Sequence, residues 1–439
     1  MSEDEPKLRV KRRALPPPRL VEHGDDDPSD KPPLEVQGEV AGRPLTLMRL
    51  GGADLQAGVG AAAANTPPSA IVLSIAEQRE IAARARRLST EFGIARLTDP
   101  LLFRTALEGY RTAPNLQSLD YTPGRDANPF RHEEFEDGEL RRHVGRSVVG
   151  TQVDLGASAA FSGAFVVDGI NDPWMPINQN LLQIGSDAAA AWGMPLIGVL
   201  PLRLQGFREV ESRRWLVQAL SATSPAAWML LIDGLSESST SEQMVAALGL
   251  AAELRAAGGE VILGRAGDLR ELFWAFGFGA EFGLGRMLRF SIPDFSSRRR
   301  GPGPPAGPRM EVPSLVSSVP QTRALELLKH ELVPEAECGC AVCQRTGSLH
   351  RNPGGIPGHN AHIALTASAQ LATIDLPTRV RNYEQRLVDA IHEWRRVEFE
   401  GGRLGRPRHL ERRLTALRLA VESGLLGPAR FGAGLRLFE

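Results

Sequence analysis

An α/β fold, built as a (β/α)8 barrel of the TIM type with a C-terminal insertion and extra C-terminal helices, is what this sequence predicts. Two observations carry the prediction. From about residue 69 to residue 290, short apolar runs alternate with amphipathic stretches at the spacing of βα units around a parallel sheet, and about eight candidate strands result. No Gly-rich phosphate fingerprint follows an early strand in the order a doubly wound open sheet requires, which leaves that fold as runner-up.

The 439-residue chain is long enough for one large domain with appendages, and its 42% apolar content supports a sizeable core. A formal net charge of −1 means that any binding to nucleic acid has to come from local patches. The basic charge is almost all arginine, with lysine only at Lys7, Lys11, Lys31 and Lys329. No run of about eighteen apolar residues is present, which argues against a membrane span. No basic region followed by an apolar one opens the chain. The three cysteines fall between residues 338 and 343, an odd number that a disulfide framework cannot use, so a reduced cytoplasmic setting is expected.

Residues 1–65 read as a poorly ordered tail, because Pro16-Pro17-Pro18, Asp25-Asp26-Asp27 and Pro32-Pro33 break any periodicity; residues 45–48 have the composition to add one strand. The barrel is expected over 66–295. Residues 70–73 read as a strand, 76–92 as a helix with an Arg-rich outer face, and 94–97 as a short strand ending at Thr98-Asp99-Pro100. Residues 113–146 are irregular and charged. The stretches 147–153 and 163–167 are β-like and end at Asp154 and Asp168.

The second half is more regular, with strands at 195–200, 228–232 and 261–263 and helices at 209–222, 241–257 and 268–276. Gly258-Gly259 stops the second of these helices. A last strand lies within 280–290. Residues 296–313 form a basic loop too rich in Pro and Gly to fold alone. A loop after a barrel's last strand lies on the face where such folds keep their sites, so Arg298, Arg299 and Arg300 are candidates for phosphate contact. Residues 314–375 hold a helix at 321–332 and the cysteine cluster, and a helix is expected to start near His359-Asn360. Residues 376–439 carry two more helices, near 383–396 and 409–423. From 391 to 439 ten arginines face six glutamates, a mild positive excess compatible with a nucleic-acid surface.

Cys338-Gly339-Cys340-Ala341-Val342-Cys343 places three thiols at C-x-C-x2-C spacing, and His359-Asn360 follows sixteen residues after the last. Thiolates at i, i+2 and i+5 can converge from one tight turn, and a downstream histidine completes the kind of set a structural zinc ion takes. His350, His359 and His362 are all in reach as the fourth ligand. Four protein ligands make such a site structural rather than hydrolytic.

The cysteine cluster followed by a His-Asn pair resembles the zinc site of the tRNA-guanine transglycosylase family, with a shortened intervening loop, and this resemblance favours His359. Upstream, residues 195–200 with Arg208-Glu209-Val210-Glu211-Ser212 are similar to a family strand and its following helix. The turn Asp233-Gly234-Leu235-Ser236 is similar to the family's glycine-glycine-leucine-serine turn, which contacts the base. Gly264-Arg265-Ala266-Gly267-Asp268-Leu269 resembles a glycine-x-x-x-aspartate-leucine segment. The match spans about residues 147–375.

The resemblance implies a barrel whose C-terminal insertion is held by Zn2+, and exchange of a guanine in tRNA or DNA for a 7-deazaguanine base. One carboxylate attacks the sugar carbon and another works near the base, since breaking an N-glycosidic bond builds positive charge on the sugar. Ungapped counting from Asp268-Leu269 puts the nucleophile position at Glu281; one gap puts Phe282 there. The second carboxylate is Asp154, in a segment similar to aspartate-serine-glycine-glycine, or Asp168. Asp233, Gly234 and Leu235 fall on the base-binding turn. Several family features are altered. Glu281 carries an extra methylene, Leu200-Pro201 replaces a glutamine, Asp233 replaces a glycine, and no Thr-Arg pair follows Glu281, leaving Arg286 or Arg289 to stand in. Two expectations follow: a divergent guanine transglycosylase, or a catalytically inactive, zinc-containing nucleic-acid-binding subunit of a transglycosylase complex. Either is compatible with a homodimer or a heteromer and with no membrane partner. An unrelated barrel with a coincidental zinc knot is the third.

Overall fold

In a computed structural model of the chain, the described residues are 43–51, 67–76, 89–107, 128–284, 289–295, 308–347 and 351–425, with a few isolated positions between them. Eight parallel strands form one sheet: β1 (Thr46–Leu50), β2 (Ala70–Ser74), β3 (Ala95–Asp99), β4 (Ala160–Phe161), β5 (Leu196–Arg203), β6 (Ala227–Asp233), β7 (Glu260–Leu263) and β8 (Gly279–Gly283). Their order, β3-β2-β1-β8-β7-β6-β5-β4, sets the first strand beside the last and leaves a seam between β3 and β4. Across that seam Ser158 N donates to Arg96 O at 2.7 Å, and Arg96 N donates to Ser158 Oγ at 3.0 Å. The sheet is therefore a nearly closed parallel barrel with flanking helices, consistent with the TIM type.

Side-chain alternation sorts the strand residues into two layers. Leu47, Val72, Leu97, Phe161, Ile197, Met229, Leu231 and Ile262 fill the barrel interior. Their neighbours Met48, Ile71, Leu196, Trp228, Leu230, Val261 and Phe282 pack outward against the helices. Stretch 45–48, assigned above to the tail, leads into and begins β1, which pairs with both β2 and β8. The barrel thus starts inside the first 65 residues: Thr46-Leu47-Met48 is apolar and β-branched enough to be buried on both faces.

The helices are α1 (Gly138–Asp154), α2 (Trp174–Ala191), α3 (Val210–Leu220), α4 (Ser241–Ala257), α5 (Arg270–Ala275) and α6 (Ile292–Phe295) around the barrel. Helix α4 starts on a reciprocal cap, Gln243 N to Thr240 Oγ1 at 3.3 Å and Thr240 N to Gln243 Oε1 at 2.9 Å. It stops at Gly258, whose φ of 112° a side chain rarely tolerates.

Two β-like stretches are corrected. Residues 147–153 belong to α1, which Asp137 caps by accepting from Glu139 N. Valine-rich composition suggested a strand, but packing against α2 wins; a Cβ on Gly145 would come within 2.7 Å of Ile184, so the glycine permits the close approach. For 163–167, the strand lies earlier, at Ala160–Phe161, and only Val167 bridges to Leu202. Most of the expected helix at 76–92 lies outside the described residues.

Beyond the barrel, β9 (Arg309–Val312) and β10 (Ser317–Pro320) form an antiparallel hairpin. They are followed by α7 (Gln321–Lys329), α8 (Ala341–Thr346), α9 (Ile356–Gln370), α10 (Leu376–Val397) and α11 (Arg408–Glu422). The hairpin residues Met310, Val312 and Val319 share the outer core with barrel helices and with Leu365, Leu387 and Leu417. Among the described residues no helix is long and apolar enough to cross a membrane.

Candidate functional site

Alternation along the strands aims Arg49 of β1, Asp99 of β3 and Glu281 of β8 inward at the C-terminal end of the barrel, above the apolar interior. The same pleat turns Phe282 outward into the helix layer, so of the two positions weighed for the nucleophile only Glu281 enters the barrel. Its side chain is 0% exposed. Arg49 Nε donates to Glu281 Oε1, Arg265 N donates to Glu281 Oε2 at 2.8 Å, and Arg49 Nη2 donates to Asp99 Oδ2 at 2.7 Å. Arg265 Nη2 lies 3.6 Å from Asp99. Two arginines and two carboxylates thus form one buried set.

Burial opposes the charge on Arg49, but Glu281 and Asp99 beside it outweigh that and raise its pKa. Arg265 is pulled down to about 10 by burial and by the neighbouring Arg49 charge. Leu101 and Arg265 both adopt left-handed φ, 53° and 54°. Each thereby directs its N–H at a carboxylate, Leu101 N reaching Asp99 Oδ1 at 2.9 Å. Such conformations persist where the surroundings over-determine them.

A second layer covers this set. Phe290, Ile292 and Phe295 from the chain after β8 join the interior cluster, with Phe290 and Phe295 edge-on to Phe103 at 5.1 Å. The Arg265 guanidinium lies 5.0 Å from the Phe295 ring. Asp233 Oδ1 accepts from Ile292 N at 2.8 Å and so holds this cover in place. Gly234 follows at φ 80°, and Leu235 is buried. The turn resembling a base-binding loop therefore anchors the chain's own segment.

The other predicted carboxylates lie elsewhere. Asp154 is the exposed last residue of α1 at the N-terminal face, where Arg96 near the start of β3 binds the carbonyls of Leu155 and Gly156. Asp168 is on the C-terminal face but exposed, 3.2 Å from Arg203. Neither joins Glu281; Asp99 does, through Arg49. Sequence reasoning missed Arg49, because its stretch was assigned to the tail, and passed over Asp99, although a charged residue ending a buried strand is a usable signal. Arg286, Arg298, Arg299 and Arg300 lie outside the described residues, and Arg289 is exposed.

The cysteine cluster is assembled. Cys338, Cys340, Cys343 and His359 bring their ligand atoms within 4.8 Å of one another. Nδ1 of His359 lies 3.7, 3.7 and 3.5 Å from the three sulfurs. Tetrahedral zinc with ordinary Zn–S and Zn–N bonds spaces sulfur and nitrogen about 3.6 Å apart, so the residues fit this ion. His359 is fully buried, and its Nε2 faces Glu311 O at 3.2 Å, which fixes the tautomer that leaves Nδ1 free to ligate. Cys338 and Cys343 hold the Cys340 thiol well below its usual range, and Cys338 and Cys340 push Cys343 well above it. Three sulfurs this close hold three negative charges only with a cation among them. His362 sits one turn along α9 and outside the set, and His350 lies outside the described residues.

The helix expected to open at His359-Asn360 in fact begins at Ile356, with Gly355 before it. Asn360 is therefore inside α9, and it ties that helix to the barrel. Its Nδ2 donates to Leu284 O at 2.8 Å and Arg309 O at 2.9 Å, while its Oδ1 accepts from Glu311 N at 2.8 Å. Glu311 makes a two-pronged pair with Arg270 at 2.9 Å on both prongs. Asp268 accepts from Ser318 Oγ at 2.7 Å, and Arg413 of α11 donates to Asp268 O and Val316 O at 3.0 Å each. The segment resembling glycine-x-x-x-aspartate-leucine is thus a joint between barrel and C-terminal region. No protein-family profile and no curated protein sequence matches the chain.

Proposed function

We propose that the chain is a zinc-braced, catalytically silent barrel of the guanine-transglycosylase type, serving as the nucleic-acid-binding subunit of a complex whose partner exchanges the base. One observation carries the proposal. Glu281, the carboxylate at the nucleophile position, is fully buried, ion-paired with Arg49 and hydrogen-bonded by the Arg265 amide. A nucleophile must come within about 3 to 3.5 Å of the sugar carbon, and here Arg49 and the Arg265 N–H already hold both carboxylate oxygens of a fully buried side chain. The preserved Cys3His set supports retention of the brace, in which Cys338, Cys340, Cys343 and His359 would hold zinc with no open position for substrate.

Incubating the purified chain with tRNA or duplex DNA and labelled guanine or 7-cyano-7-deazaguanine tests this. No label is expected in either nucleic acid while an active transglycosylase incorporates it under the same conditions. Incorporation by this chain alone would overturn the proposal in favour of a divergent but active transglycosylase.

A further inference from the structure

We infer that the groove between the end of α10 and the start of α11 binds single-stranded nucleic acid, with one base stacked on Phe399 and phosphates on Arg406 and Arg408. This deepens the function proposed above and rests on it for the class of partner. Phe399 is 93% exposed, whereas the other described phenylalanines lie in or against the cores. It lines a cavity of about 590 Å³ together with Arg395, Glu398, Arg406, Arg408 and Glu411, a volume suited to a nucleobase and its sugar.

Arginines exceed carboxylates in this groove, since Arg395, Arg406 and Arg408 line it with Glu398 and Glu411. Glu411 is held by Arg395 at 2.8 Å, and Glu400 by Arg396. Glu398 accepts the backbone N–H groups of Leu404 and Gly405, the latter at 2.7 Å. Arg403, Arg406 and Arg408 are exposed and have no carboxylate partner among the described residues. Arg403, Arg406 and Arg408 therefore outnumber Glu398, the lining carboxylate with no cationic partner among the described residues, and border an exposed aromatic face, the combination that takes a stacked base and its phosphates.

The loop is also preformed. Gly401 and Gly405 take φ of 92° and 76°, and Trp394 Nε1 donates to Gly405 O at 2.8 Å. A Cβ on Gly402 would meet Val397 at 2.5 Å, so the turn is packed tightly against its helix. An aromatic ring held out from a pinned turn loses little freedom on binding.

Fluorescence anisotropy on the full chain, with labelled single-stranded RNA, single-stranded DNA and duplex DNA of one length, tests the site. One or both single strands are expected to bind more tightly than duplex. Phe399→Ala should weaken binding about tenfold and Phe399→Trp should retain it, with unchanged melting because the ring is exposed. Arg406→Gln with Arg408→Gln should lower the slope of log affinity on log salt by about 1.4. If the wild type binds but these variants match it, the strand sits elsewhere and the binding-subunit function stands. If the wild type binds none of the probes, the groove assignment falls, and the base-exchange experiment above decides the proposed function separately. Phe399-dependent association with a protein and not with oligonucleotide would overturn the site in favour of a protein docking surface.

Discussion

Glu281 is a fully buried carboxylate at the C-terminal end of β8, and its partners decide what it can do. A carboxylate meant to attack needs a free lone pair and room for a sugar. Here both oxygens are engaged, by Arg49 and by the Arg265 amide. Truncation to Glu281→Ala leaves Arg49 with Asp99 as its one remaining carboxylate partner and is expected to cost about 1.5 to 3 kcal/mol in urea unfolding. A loss below about 1 kcal/mol would mean that the carboxylate is not paired in solution. His409 offers a second test at this scale. Burial, with the nearby Arg413 charge, pulls its pKa down to about 4, while Ser317 Oγ holds the ring at 3.0 Å. The unfolded chain takes a proton near pH 6.5 and the folded one does not, so stability is lost as pH falls from about 6.5 to about 4. Asp268, held low by Arg413 and Arg270 against burial, adds a loss at lower pH. The difference between proteins carries the test: His409→Asn should unfold with a shallower dependence across that window, by about 2 kcal/mol, in chemical denaturation at stepped pH.

At the scale of elements, four ligand atoms join α8 to α9, which is itself packed into the core through Ile356, Ala361, Ala364 and Leu365. Helix α8 spans only Ala341–Thr346, too short to persist without an external tie. Zinc would supply it, and Cys343→Ser or a strong chelator should take the bound metal from one zinc per chain to none by elemental analysis. The melting midpoint should fall by roughly 3 to 5 °C, the shift that goes with a loss of a few kcal/mol in a chain of this length. A metal-free preparation that melts like the untreated protein would remove the zinc assignment. Helix α1 teaches the opposite lesson about legibility. Its Val148-Val149 and Thr151 favour extended structure locally, and the decisive contact, Gly145 against Ile184, is with a helix about forty residues on in the chain.

For the whole molecule, the barrel and the C-terminal region are joined by buried polar contacts: Asn360 to Leu284, Glu311 to Arg270, and Arg413 to Asp268 and Val316. Residues that looked like a substrate-reading segment are committed to this joint, and Asp233 is committed to the cover over the barrel mouth. The mouth of the barrel is therefore occupied by the chain's own segment, pinned through Asp233 and Ile292. Labelled-base exchange is the measurement at this scale, and its absence, expected under the proposed function, belongs to the assembled mouth rather than to any one residue.

Periodicity and local chemistry were enough to read much of this protein from its sequence. Apolar runs alternating with amphipathic stretches announced the parallel barrel, because burial on both faces demands continuous apolar strands. The Cys3His spacing announced its own convergence, because a tight turn already brings i, i+2 and i+5 together. Tertiary structure alone decided the state of Glu281. Its partners Arg49, Asp99 and Arg265 come from three other βα units, and the sequence does not show which ends of a closed barrel meet. It likewise decided that Asp154 and Glu281 lie on opposite faces, since a helix in place of a strand reverses the end of the barrel at which a residue emerges.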